Sequence, residues 1–377
     1  MTRFGILSTY PPTRCGLATF THALETALTA SGRDTALIVR AVDGPADDIP
    51  RGRESARSAG PELVAGDPAS MRRAASALDA CDVAIIQHEY GIYGGPDGDE
   101  VVTLLGMLGV PVIAVLHTVL PSPSEHQRVV LERVCARAAG VVVMTNNARE
   151  VLLSTYRVAS AKVVVIPHGV AVPQQAAAAH GASARRRILT WGLISRGKGL
   201  EWGIRALDRL RDLDVEYVIA GQTHPKVRAT EGEQYREHLA SVIRELRLED
   251  SVMLEDRYLD AAELDRLVAT ADVVLLPYES TEQATSGVLA EAVAAGIPVV
   301  ATGFPHAVEL LGDGAGLIAA HGDPASMAEA LRAILEQDDD TRRLRTAASR
   351  HAPRWTWPVV AERFRDLAGT VRAVRAA

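Results

Sequence analysis

Short apolar runs alternate with longer stretches in which apolar residues recur at helical spacing, and this order repeats along the chain. Val- and Ile-rich runs bounded by turn residues fit strands buried on both faces of a parallel sheet, and the longer stretches fit the helices that cover it. In the first half, strands are expected at Phe4–Thr9, Thr35–Val39, Val83–Ile86, Pro111–Leu116, Gly140–Met144 and Lys162–Ile166. Helices are expected at about Leu17–Thr29, Ser70–Leu78 and Glu100–Leu108. Residues 41–66, rich in Asp, Arg, Gly and Pro, read as a surface excursion. The alternation restarts with strand Arg187–Thr190, helix Leu200–Leu210, strand Glu216–Ala220 and helix Tyr235–Leu246. Strand Val252–Leu254, helix Asp260–Ala269 and the run VVLLP follow. Then Ser286-Gly287 opens a helix, Gly296 closes it, a strand starts at Ile297, and a last helix spans Pro324–Glu336.

Between the halves, AVPQQAAAAHGASARR breaks the pattern and reads as a linker. The expected division is 1–172, a linker over 173–186, a second domain over 187–352, and a helix over 353–377 that can cross back to the first domain. The fold class is α/β: two doubly wound parallel sheets whose facing loops enclose a cleft.

Composition narrows the function. A chain of 377 residues exceeds one ordinary core, in keeping with two domains. The net charge of -7, with no offsetting basic stripe, argues against a nucleic-acid partner. Cys15, Cys81 and Cys135 show no metal-ligand spacing and cannot all pair, which suits a reducing cytoplasm. The N-terminus enters a strand almost at once, against a cleaved signal, and no apolar run approaches the roughly 20 residues that span a bilayer. A soluble cytoplasmic protein is expected.

Candidate chemistry lies in the loops after the strands. Ser286, Gly287 and Val288 begin a helix whose first N–H groups favour an anion, and glycine lets a phosphate approach. One turn on, Glu291 offers two oxygens to a vicinal diol such as ribose, although a merely solvated Glu291 fits the same local pattern. The segment Gly192-Leu-Ile-Ser-Arg196-Gly-Lys198-Gly199 puts one or two cations beside such a diphosphate; it lacks the spacing of a P-loop. Gly221-Gln-Thr-His-Pro225 follows another strand. In the first half, Gly16 starts a helix after the Pro11–Gly16 loop, and His117 follows a buried strand, where it can meet a sugar hydroxyl or simply bond the backbone. His88, beside Glu89, is a weaker candidate, and His168 in Ile-Pro-His-Gly reads as a turn residue.

TYPPTRCGLATFT, His117, IPHGV, GLISRGKGLE, YVIAGQTHPKV and SGVLAEAVAAGIPVVAT together resemble the family 4 retaining glycosyltransferases of the GT-B fold. The resemblance spans both halves in the expected order. It implies Gly16 near the diphosphate and donor sugar, His117 on the transferred sugar, Lys198 on the diphosphate and Glu291 on the ribose. It also implies base contacts from the backbone at Arg257 and Tyr258. Two positions depart from the family pattern. Gln283 stands where the first glutamate of Glu-x7-Glu belongs, with Glu282 beside it, so it is a donor-sugar contact without charge. Leu193 stands where the family has arginine, and Arg196 is its candidate substitute.

The implied reaction is retaining transfer of a hexose-type sugar from a UDP- or GDP-sugar to an acceptor hydroxyl, with no cofactor and no enzymic nucleophile. The departing phosphate itself can take the acceptor's proton. Rival readings are a nucleotide-sugar epimerase of the same fold and a non-catalytic nucleotide-sugar-binding protein; no lysine marks a pyridoxal-phosphate phosphorylase. A metal-dependent route has Asp97-Gly-Asp99 behind it, but those acids directly precede a helix and read as caps and dipole partners, so no metal is expected. Asp212-Leu-Asp214 precedes a strand, at the wrong end of the sheet.

Overall fold

The apolar runs become two all-parallel sheets. The computed structural model describes residues 1–44, 60–171, 185–350 and 352–376. The first sheet comprises β1 (Arg3–Ser8), β2 (Thr35–Val42), β3 (Glu62–Val64), β4 (Val83–His88), β5 (Val112–Leu116), β6 (Gly140–Val143) and β7 (Val163–Val165). Its strand order is β3-β2-β1-β4-β5-β6-β7, with every pairing parallel. The second comprises β8 (Arg186–Trp191), β9 (Val215–Ala220), β10 (Val252–Glu255), β11 (Val273–Leu276), β12 (Val299–Thr302) and β13 (Gly316–Ala319). Its order, β10-β9-β8-β11-β12-β13, is again parallel throughout. Strand order reverses between β1 and β4 and between β8 and β11, and doubly wound sheets take ligands at the carboxyl ends beside such reversals.

Because successive strand residues point to opposite faces, each strand feeds two cores. In the second sheet Ile188, Tyr217, Val273 and Leu275 face helices Leu200–Leu207 and Pro324–Glu336. Leu189, Trp191, Val274 and Leu276 face helices Gly287–Ala294 and Pro305–Leu311. In the first sheet Phe4, Ile6, Ile85, Ile113 and Val115 pack on Phe20, Leu24 and Leu28 of helix Gly16–Thr29. The same core takes Val360, Phe364, Ala368 and Val371 from helix Trp357–Ala376. Arg365 of that helix pairs with Asp34 at 3.0 Å and donates to the carbonyls of Ala27 and Leu28, the unsatisfied acceptors at a helix end.

The chain divides into residues 1–169 with 357–377, and residues 170–356. The change of unit therefore falls at Gly169–Val170 rather than at 172, and the return falls at Trp357 rather than 353. Val170 already bridges to Thr356 and donates its N–H to the Trp355 carbonyl at 2.8 Å, which ties it to the second unit. The linker expected at 173–186 lies largely outside the described residues; Arg186 is already the first residue of β8. Within residues 41–66, read as an excursion, β2 runs on to Val42 and Glu62–Val64 pairs with it as β3; the part from 45 to 59 lies outside the described residues. Helices Glu125–Arg137 and Asn146–Thr155 escaped the apolar pattern because few of their positions are buried. Ser124 and Gln127 form a capping box, which was the readable signal for the first.

Candidate functional site

In the second unit, three loops meet at the reversal. After β8 the chain enters Gly192–Gly199, which lies against the segment that follows β11. Gly197 accepts a hydrogen bond from the Glu279 N–H at 2.9 Å. Gly199 has φ +60, and a Cβ there would stand 2.1 Å from the Pro277 carbonyl oxygen, so only glycine fits this approach. Ile194 forms a bridge with Thr223, donating to Gln222 O at 2.9 Å and accepting from His224 N at 2.8 Å. The 192–199, 221–225 and 277–279 segments are thereby fixed to one another.

Lys198 rides on this frame. Its Nζ stands 4.0 Å from the centroid of the Tyr278 ring, a cation–π contact, and it makes no ion pair among the described residues. Tyr278 is buried and stacks on Phe304 with centroids 5.2 Å apart, which fixes the platform. Burial, with Lys226 and Lys198 nearby, holds the His224 imidazole below its usual pKa, so the neighbourhood favours anions. Arg196 does not act as a second free cation here. Its guanidinium pairs with Glu231 at 3.0 Å and stacks on Tyr235, so its charge is already compensated.

The helix Gly287–Ala294 starts as expected, but its cap is largely occupied. Ser286 Oγ accepts from Leu289 N at 3.2 Å, and Ser286 N donates to His306 Nδ1 at 2.8 Å. Gly287 and Val288 keep N–H groups with no partner among the described residues, as the first turn of a helix leaves them. Gln283 donates its side-chain amide to Thr285 O at 3.1 Å, which turns its N–H toward its own loop. Arg257 is exposed and engaged by Glu255 and Glu263, and Tyr258 is exposed beside it.

Glu291 is not a solvated surface acid. Trp191, the last residue of β8, donates its indole N–H to Glu291 Oε2 at 3.2 Å, and Oε1 makes no hydrogen bond among the described residues. Burial pushes the carboxyl up to about 7. Ribose hydroxyls donate to a carboxylate, so the ionised form binds them, and the ionised fraction rises with pH through that value. Affinity for a nucleotide sugar should therefore rise on the order of tenfold from pH 6 to 8. Calorimetric titration at the two pH values tests this. A wild-type profile no steeper than that of Glu291→Gln would remove the carboxylate from the nucleotide site.

In the first unit, Gly16 is exposed at the start of helix Gly16–Thr29, and a Cβ there would meet nothing within 4 Å, so no protein neighbour demands glycine. His117 is half-buried past β5. Its Nε2 lies 2.7 Å from Gln87 Oε1 at the end of β4, and its ring meets Phe20 edge-on at 4.9 Å. Burial and the nearby His168 and His88 depress its pKa to about 3, so the ring is neutral. His88 is buried with Nδ1 unpartnered among the described residues, and His168 Nδ1 lies 2.7 Å from the carbonyl oxygen of the next residue, Gly169, as a turn residue would.

Asp97 and Asp99 need correction. Asp99 holds the N-cap position of helix Glu100–Met107 without a capping bond, because its helical backbone (φ -65, ψ -15) turns the side chain away from the free N–H groups. Both carboxylates instead face His126, whose Nδ1 is 2.8 Å from Asp97 and Nε2 3.5 Å from Asp99. Among the described residues no group of three or more His, Cys, Asp or Glu side chains could hold a metal ion. Asp212 is bound by Arg332 at 2.7 Å, at the amino end of β9. Sequence reasoning missed Trp191, Tyr278, His306 and Gln87. The readable signals were aromatic residues at or just past the ends of β8 and β11, and a lone polar residue closing the apolar inward face of β4.

Residues 15–172 match the family described as Glycosyltransferase Family 4, and residues 185–337 match Glycosyl transferases group 1. A D-inositol 3-phosphate glycosyltransferase of Stackebrandtia nassauensis is 31% identical over 290 residues, 69% of this chain and 62% of that protein. One from Kineococcus radiotolerans is 30% identical over 290 residues, 67% of this chain and 64% of its own. The chain thus spans less than two thirds of the length of the curated relatives it matches. Sucrose-phosphate synthase from Thermosynechococcus elongatus superposes with TM-score 0.78 at 17% identity, covering 99% of this chain and 100% of that one. Anabaena HepE, solved in complex with UDP and glucose, gives TM-score 0.76 at 16% identity, with 98% and 100% covered. The fold is GT-B, two Rossmann-like parallel-sheet domains.

Proposed function

We propose, for a chain that carries a family 4 glycosyltransferase domain ahead of a group 1 glycosyl transferase domain, that it is a retaining hexosyltransferase using a UDP- or GDP-sugar. The observation that carries this reading is Lys198, a cation stacked on Tyr278 with no ion pair among the described residues, in the unit that also holds the Gly287 and Val288 N–H groups left without a described partner. As the anomeric bond breaks, negative charge grows on the diphosphate, and fixed donors stabilise it without reorganising. Glu291 takes the ribose hydroxyls. The departing phosphate oxygen accepts the acceptor's proton, so no enzymic nucleophile is invoked. A phosphorylated polyol is the first acceptor to try, after the name of the relatives. A cytoplasmic setting suits the free thiols Cys15, Cys81 and Cys135, and no described helix is long and apolar enough to cross a membrane.

The test is incubation with UDP- and GDP-hexoses, with and without acceptor, following free nucleotide and sugar configuration. Transfer with retained anomeric configuration is expected. Epimerised sugar without transfer, or binding without turnover, would overturn the transferase reading. Exhaustive EDTA should leave the rate unchanged, since Asp97 and Asp99 are engaged by His126. A rate that vanishes with chelation and returns with magnesium or manganese would move the diphosphate site to those acids. His117→Ala should lower kcat by about tenfold or more while nucleotide affinity holds. A folded His117→Ala that loses nucleotide affinity would deny it the sugar contact.

A further inference from the structure

We infer that Gln87 is a positioning residue for His117: its buried amide sets which ring nitrogen carries the proton and so leaves Nδ1 as the atom offered to a hydroxyl of the transferred sugar. The sugar half of this statement rests on the proposed transferase reading; the tautomer half does not.

Strand parity brings the two side chains together. Val83, Ile85 and Gln87 share one face of β4, and Ile113 and Val115 share the matching face of β5, which His117 continues. Gln87 pairs in register with Val115, and the His117 N–H donates to His88 O at 3.1 Å, extending the ladder one residue past β5. Gln87 is therefore the polar end of an apolar stripe that packs on Phe20. It is fully buried, and its main-chain carbonyl accepts from the buried Tyr93 hydroxyl at 2.6 Å, which fixes the strand end.

A buried amide is costly unless it is hydrogen-bonded, yet Gln87 Nε2 has no partner among the described residues. The side-chain bond it makes among the described residues is Oε1 to His117 Nε2 at 2.7 Å. A carbonyl oxygen only accepts, and a neutral imidazole has one N–H, so that proton stands on Nε2. Nδ1 is then a bare lone pair, with no hydrogen bond among the described residues. It is an acceptor for a hydroxyl and useless to a carbonyl. Phe20, edge-on at 4.9 Å and 85°, fixes the plane in which that lone pair points. The reverse amide orientation would direct NH2 at Nε2 and move the ring proton to Nδ1, so the tautomer itself reports whether the assignment is right.

The full chain labelled with 15N-histidine is examined by long-range 1H–15N NMR at neutral pH, with His117→Ala identifying the resonance. A neutral ring protonated only at Nε2 is expected in the wild type. Gln87→Met keeps the bulk and removes the acceptor. It should introduce the Nδ1–H form and lower kcat/KM for the nucleotide sugar about tenfold, while the Kd for UDP or GDP changes less than about twofold. A wild-type ring protonated at Nδ1 overturns the inference, and so does a Gln87→Met protein with unchanged tautomer and kcat/KM. Should Gln87→Met fail to fold, the wild-type tautomer decides alone. The expected NMR result in a protein that turns over no nucleotide sugar would sink the transferase reading and leave the tautomer control standing.

Discussion

Lys198→Ala is expected to lower kcat by roughly 10²- to 10³-fold, with a much smaller change in affinity for the nucleotide diphosphate. The reasoning is differential. On the proposed reading, the diphosphate charge in the ground state is shared with the sugar bond and with the Gly287 and Val288 N–H groups, which have no partner among the described residues. In the transition state the leaving oxygen gains charge, and the one described cation of the site not already paired is the Lys198 ammonium on Tyr278. The structure makes the expectation sharper than charge alone could, since Arg196 is tied to Glu231 and is not positioned to compensate. Steady-state kinetics on the best donor, with calorimetric titration of UDP and GDP, provide the check. A Lys198→Ala protein with near-normal kcat and only a raised KM would show that the lysine binds ground and transition states alike.

Glu291→Ala is expected to weaken nucleotide binding by about 10- to 150-fold, the loss of hydrogen bonds to a charged group worth roughly 1.5–3 kcal/mol. Because burial pushes this carboxyl up to about 7, the full effect should appear near pH 8, and a titration near pH 6 should understate it. Glu291→Gln serves as the partner variant, since it still offers Trp191 an acceptor and so separates a lost ribose contact from a disturbed β8 end. A folded Glu291→Ala protein that binds UDP and GDP as tightly as the wild type at pH 8 would end the ribose assignment.

For the candidate residues, position along the fold was legible and contact was not. Gly16 and His117 in the first unit, and Lys198, Ser286 and Gly287 in the second, lie past the carboxyl ends of parallel strands, and Glu291 lies one turn into the helix that Gly287 opens. What each touches was not legible. Trp191 reaches Glu291 across 100 residues of chain, and Tyr278 supports Lys198 from another strand end. Arg196 looked like a spare cation until helix Pro225–Glu231 brought Glu231 to it, and Asp99 looked like a cap until its backbone turned helical.

The sequence by itself determined the strands other than β3 and β13, the two doubly wound sheets, and the loops that follow their strands. Those follow from local causes: β-branched runs buried on both faces, helical spacing of apolar residues, and glycine where the backbone needs positive φ. Segments with weak local signals, such as β3 and the polar-faced helix Glu125–Arg137, depended on a neighbour to pair or pack against. Only the tertiary structure decided which charges are free and which are spent, the environment that pushes Glu291 up to about 7, and the Gln87 amide facing His117. Strand order and register set these contacts between residues far apart in the chain, and hydropathy periodicity carries no record of which strand lies beside which.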